Sequence, residues 1–152
     1  MLEFFHFLHM MAGVAFGGAS LLFAWVVAPA LVQMEPEARA AHFDTLVRYA
    51  TPFMATTGIL ALVGGIGRAW TAGPIDRFRD LLSGYGLMVT LALVVFIAWS
   101  AFDGRNRGRM AKAIAAKDNE ALAREVGTSR TVTSAALLVI LGLMGAMRLG
   151  LY

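Results

Sequence analysis

Leu81-Leu-Ser-Gly-Tyr-Gly-Leu-Met-Val-Thr-Leu-Ala-Leu-Val-Val-Phe-Ile-Ala-Trp-Ser-Ala-Phe102 contains no charged residue. A helix rising 1.5 Å per residue needs about twenty residues to cross ~30 Å of hydrocarbon, and this run is long enough. Phe4–Val32, Leu46–Trp70 and Val132–Leu151 read the same way, and most of the formal charge lies outside the four stretches. Backbone polar groups in lipid must be satisfied within the protein, which leaves helices or closed barrels. The lengths, and the lack of alternation with period two, exclude barrel strands. The expected fold is all-α: a four-helix transmembrane bundle forming one integral membrane domain over residues 1–152.

Composition points the same way. The chain is 59% hydrophobic and 15% charged, with mean hydropathy +0.68, where a soluble domain carries about 25% charged residues. It has no cysteine, so disulfides, iron–sulfur clusters and thiolate metal sites are excluded. Met1-Leu-Glu-Phe-Phe-His6 lacks the Lys or Arg of a signal peptide, and the apolar run behind it is too long. It reads as a retained helix.

Orientation follows from the cations. The connections after the first and third stretches hold Arg39, Arg48, Arg105, Arg107, Arg109, Lys112, Lys117, Arg124 and Arg130, nine residues; the opposite side holds Arg68, Arg77, Arg79 and Arg148, four, and 9 + 4 makes the 13 present. The positive-inside bias predicts a multi-pass protein with both chain ends outside and the connections after the first and third spans in the cytoplasm. The net charge of +3 is accounted for by topology and anionic headgroups. The expected partner is the lipid bilayer, not nucleic acid.

Local punctuation refines this outline. Pro29 is expected to kink or end the first helix. Pro36, with Glu35 and Glu37 beside it, suits the start of a short polar helix that runs on into the second span. Gly58, Gly64, Gly65 and Gly67 give that span a surface another helix can approach closely. Thr71–Asp76 reads as a tight linker, and the third helix is expected to end at Asp103-Gly104. In the basic 105–130 connection, Met110, Ile114 and Leu122 predict a short amphipathic helix extending the third span.

The strongest chemical signal is His6-Phe-Leu-His9-Met10-Met11. His6 and His9 share a helix face, and imidazole in a membrane span tends to face the bundle or a cavity. Met10 and Met11 add soft thioether donors suited to Cu(I) or an axial position on haem iron. The plainer reading sets both imidazoles in headgroup water. Met54, Met88, Met144 and Met147 read as packing residues, and Arg68 as a snorkelling cation near Trp70. No Asp or Glu sits at the centre of a span, which argues against a carboxylate-driven transporter. The later spans lack His, so haem ligation by histidines from two different helices is unavailable.

His9-Met-Met-Ala-Gly-Val-Ala-Phe-Gly-Gly18, Val27-Ala-Pro-Ala-Leu31, Tyr49-Ala-Thr-Pro52, Thr57-Gly58 and Asp103-Gly-Arg105 together resemble the four-helix bacterial membrane proteins of the copper-resistance protein D type. More distantly, the chain is similar to the four-helix protoporphyrinogen oxidase that binds haem b. The resemblance to the first group implies copper handling, with His9 at the first-helix histidine and Met10 and Met11 beside it. The resemblance to the second implies His9 as a haem ligand, partnered by a third-helix lysine. Residues 86–95 hold no lysine, which speaks against the oxidase reaction and leaves Met88 as a chemical substitute ligand.

The leading expectation is a small membrane protein that handles copper or binds haem b. His9 is the main ligand, with His6, Met10 and Met11 as helpers for a metal and Met88 for haem. Two alternatives stand beside it: a non-catalytic accessory subunit of a larger membrane complex, and a haem-dependent membrane oxidoreductase. A homodimer is a further possibility, since one small bundle encloses little volume.

Overall fold

The structure, a computed structural model, describes residues 1–72, 75, 77–82 and 84–151. Gly73, Pro74 and Asp76 of the expected 71–76 linker lie outside the described residues. Four helices make up the fold: α1 (Leu2–Gln33), α2 (Pro36–Ala72), α3 (Gly84–Ala115) and α4 (Asn119–Leu149). Each is long and apolar enough to cross a membrane, and no strand occurs among the described residues. The chain is an all-α four-helix bundle. A short 3-10 turn, Phe78–Leu82, precedes α3.

The helices pair as two antiparallel hairpins, α1 with α2 and α3 with α4, and the two hairpins touch more sparsely. Both chain termini lie at one end, here the terminal end. The α1–α2 and α3–α4 connections lie at the other, the basic end.

Glycine sets the spacing of the first hairpin. A Cβ at Gly64 would lie 2.7 Å from the His9 backbone nitrogen and 2.9 Å from its Cα; one at Gly65 would lie 2.9 Å from the His9 ring. Gly67 meets Phe5 in the same way, and Gly58 meets Phe16. The expected close-packing surface is therefore where α1 lies on α2, and it fixes the position of His9.

Pro29 does not end α1. It lacks the N–H that would serve the Trp25 carbonyl, and the helix accommodates this through a π-helical turn at Phe23–Val27, where the Ala28 N–H reaches back to the Phe23 carbonyl. The turn directs Phe23 and Ala24 into the interior. The helix then runs on to Gln33.

The best-buried packing is at the basic end. Phe23, Ala28, Leu31, Phe43, Met110, Ile114, Leu122 and Val126 form one core cluster there, while Phe16, Met54, Trp99 and Ala136 form a second in mid-bundle. Met110, Ile114 and Leu122 do meet in one buried cluster, but they come from two long helices and not from a single short one. The third helix passes through Asp103-Gly104 and continues to Ala115, about 48 Å in all at 1.5 Å per residue. A tight turn follows, with Lys117 at φ 54°, and Asp118 then caps α4 by accepting from the Ala121 N–H at 2.9 Å. Gly150 closes α4 in the left-handed conformation.

Arg39 ties the basic end together. It is 2% exposed and donates to the carbonyls of Val32 (3.2 Å) and Met34 (2.7 Å) and to the Asn119 side-chain oxygen (2.5 Å). One guanidinium thereby joins the α1–α2 connection to the start of α4. Asn106, also buried, donates to the Glu125 carbonyl at 3.2 Å.

Candidate functional site

With tight packing at the basic end and mid-bundle, the hairpins leave space at the terminal end. A cavity of about 670 Å³ lies there, walled by all four helices. That volume is in the range of small-molecule and cofactor sites, ~300–1,000 Å³. Its deeper wall is apolar, with Val89, Leu93, Phe96 and Ile140 among its residues; its polar groups are His6, His9, Arg68, Tyr85 and Arg148.

His9 is the most constrained of these. Its Nδ1 lies 2.8 Å from the Ala61 carbonyl oxygen. A carbonyl oxygen only accepts, so Nδ1 carries the hydrogen and donates it. The neutral ring then keeps its lone pair on Nε2. A backbone acceptor that fixes the tautomer and ring orientation is the support found behind metal-bound imidazoles. The close approach at Gly64 and Gly65 makes this bond possible, because a side chain at either position would push the ring away.

His6 also lines the cavity, one turn nearer the terminal end, and its Nδ1 is buried with no hydrogen-bond partner. Met10 lines the wall and is half exposed. Met11 and Met88 do not line it. At 100° per residue Met11 lies about 140° around α1 from His6, and Met88 is off the Tyr85–Val89–Ala92–Phe96 row of α3. Met144 and Met147 of α4 supply thioethers to the wall instead. Among the described residues no three His, Asp or Glu side chains converge as a metal-binding group.

The residues present fit two kinds of occupant. An oriented imidazole in a large, mainly apolar chamber suits a haem. Imidazole and thioether donors together (His6, His9, Met10, Met144, Met147) suit Cu(I). Sequence reading passed over Met144 and Met147 as packing residues and Arg68 as a snorkelling one. The available signal was the recurrence at three and four residues of Ile140, Met144 and Met147 on one face of α4.

Below this chamber lies a second cavity of about 330 Å³. The two share Leu62 and Phe96 as a partition. Phe96 belongs to an aromatic cluster with Phe16 (centroids 5.2 Å apart) and Trp99 (6.4 Å), and the Trp99 Nε1–H donates to Thr133 Oγ1 at 3.3 Å. The lower cavity is lined by Ser100, Asp103 and Arg107 among others. The Arg107 Nε lies 2.8 Å from an Asp103 carboxylate oxygen, with side chains 11% and 16% exposed. This largely buried pair was missed because Asp103-Gly104 reads as a helix end, although the Asp–Arg spacing of four is that of an intrahelical ion pair.

Comparison with protein-family models, curated proteins and solved structures finds no match to this chain.

Proposed function

We propose that the terminal-end cavity is a cofactor site and that the protein is a small haem-binding protein of the bacterial inner membrane, with His9 Nε2 as the iron ligand. The observation that carries this reading is the 2.8 Å Nδ1–H···O=C bond from His9 to Ala61 at the wall of a 670 Å³ cavity. It readies one imidazole nitrogen for coordination beside a chamber of cofactor size. The apolar wall from Val89 to Ile140 would exclude water from the bound group, and the Ala61 carbonyl would hold the ligating ring in orientation. A bound haem would supply one-electron exchange. In keeping with the charge asymmetry of the connections, both termini and the cavity face the periplasm.

The thioethers of Met10, Met144 and Met147 beside His6 and His9 favour Cu(I) as a second reading. Purification in mild detergent with an absorption spectrum and metal analysis separates the two. Haem gives a Soret band with stoichiometric iron, and copper near one per chain without that band supports the second reading. His9→Ala is expected to abolish either signal while the helical circular dichroism persists. Folded protein with neither group overturns both readings and puts the accessory subunit in front. Retention of the signal in the variant refutes the ligand assignment.

A further inference from the structure

Arg68 of α2 and Arg148 of α4, one on each hairpin, line the chamber near its terminal end. Neither guanidinium makes a hydrogen bond or ion pair with a described residue. Among the described residues, no acidic one lines the chamber. The nearby acidic group with a role, Asp80, accepts from the Arg77 backbone N–H at 2.8 Å and lies 3.8 Å from Arg79. The cavity therefore combines an apolar interior, an oriented imidazole and two arginines that have no acidic partner among the described residues.

That distribution selects the chemistry of the occupant. Two like charges without a carboxylate raise the local potential and disfavour a bare cation at the rim. A guanidinium presents paired donors matched to carboxylate or phosphate oxygens. Snorkelling alone would need only a charge reaching water; it gives no reason for two arginines from different helices to border the same imidazole-bearing chamber.

We infer that Arg68 and Arg148 grip the acidic groups of an amphiphilic ligand whose apolar body fills the cavity. The inference rests on the cofactor reading, under which the gripped groups are the two haem propionates. The same chemistry is offered by the phosphate of an anionic phospholipid from the facing leaflet, and the experiment separates these sources.

Full-length protein and the Arg68→Gln/Arg148→Gln variant are placed in phosphatidylcholine nanodiscs and titrated with haem and with haem dimethyl ester, whose propionates are blocked. Retained helical circular dichroism verifies the fold of both. The grip predicts haem affinity lower by about ten- to a hundredfold in the variant, the scale of lost charge-assisted hydrogen bonds, with the ester binding both proteins alike. Equal haem affinity in both proteins overturns the grip and leaves His9 coordination standing. No haem binding to the parent protein removes the cofactor reading. In that event, enrichment of phosphatidylglycerol around the parent but not the variant, in mixed-lipid discs, keeps the anion grip with lipid as its ligand. Equal lipid composition around both overturns the grip as well.

Discussion

Arg107 on α3 lays its guanidinium over the ring of Phe23 on α1, 4.2 Å from the centroid. The same side chain reaches Met54 Sδ on α2 at 2.8 Å and Asp103 on its own helix at 2.8 Å. One residue thus connects the two hairpins in the region where the π-turn of α1 presents Phe23 inward. The contact is a joint of the fold, formed by a charge kept almost out of solvent.

A buried charge that loses its partner is costly, whereas removing both members of a pair is often neutral. Arg107→Met should therefore destabilise the bundle by about 3–5 kcal/mol, because Asp103 stays in place without its cation. Asp103→Leu/Arg107→Met should recover most of that loss. Thermal unfolding in detergent, followed by tryptophan fluorescence, reads both. Equal destabilisation in the single and double variants would show that the packing of Arg107 on Phe23 dominates, not the ion pair.

The glycines of α2 give a second prediction. A methyl at position 64 meets the backbone of His9, which cannot swing aside as a side-chain tip would. Gly64→Ala should cost about 1–3 kcal/mol through overpacking, and on the proposed haem reading it should lower haem occupancy by separating His9 from the Ala61 carbonyl. Gly127→Ala, where no atom lies within 4 Å of the new Cβ, should instead gain up to about 1 kcal/mol from helix propensity. Melting temperatures and Soret absorbance of the two variants test this pair, and equal behaviour would remove the close-approach argument.

His6 gives a third prediction, read in the cofactor-free protein. The buried Nδ1 of His6 has no partner, a condition that costs about 1–3 kcal/mol. His6→Leu should raise the melting temperature of the empty protein. If the occupant satisfies that nitrogen, the same change should lower occupancy. A lower melting temperature for empty His6→Leu would show that the imidazole packs favourably as it stands.

What was legible from the sequence follows from what hydropathy and helical period can carry. The spans were legible because bilayer thickness fixes their minimum length, and the contact of Gly58, Gly64, Gly65 and Gly67 with α1 because small residues on one face serve close packing. The basic end was not. Nothing local marks the turn at Ala116–Asp118, since Lys117 rather than glycine takes the left-handed conformation there. Asp103 looked like the end of a helix because its neutralising partner, four residues on, lies in a segment read as a loop. At the site, the shared face of His6 and His9 was readable from their spacing. The convergence of Arg68, Tyr85, Met144 and Arg148 on that face depends on how the two hairpins dock, which no single helix encodes. Met88 was brought forward by a family resemblance, and the phase of α3 takes it off the cavity row.

Arg39 provides a fourth test, at the opposite end from the His9 cavity. Arg39→Met would strand the Val32 and Met34 carbonyls, at about 1–3 kcal/mol for each one left unpaired. Asn119→Ala removes a single acceptor and should cost less. Hydrogen exchange should accelerate around residues 33–39 and at the start of α4 in Arg39→Met, with little change near His9. Uniform acceleration along all four helices would mean that the basic end controls global stability.

The lack of cysteine permits a direct test of orientation. Glu3 lies exposed at the terminal end, and Glu120 lies exposed at the basic end at the start of α4. With nine of the cations on the connections after the first and third spans and four on the other side, Glu3→Cys should react with a membrane-impermeant maleimide in intact spheroplasts. Glu120→Cys should react only after permeabilisation. This outcome places the mouth lined by Arg68 and Arg148 on the periplasmic side, and the proposed amphiphile would then enter from outside the cell or from the outer leaflet. The reverse pattern would invert the protein and turn the same cavity toward ligands made in the cytoplasm. The residues of the site would keep their roles, and only the compartment supplying the ligand would change.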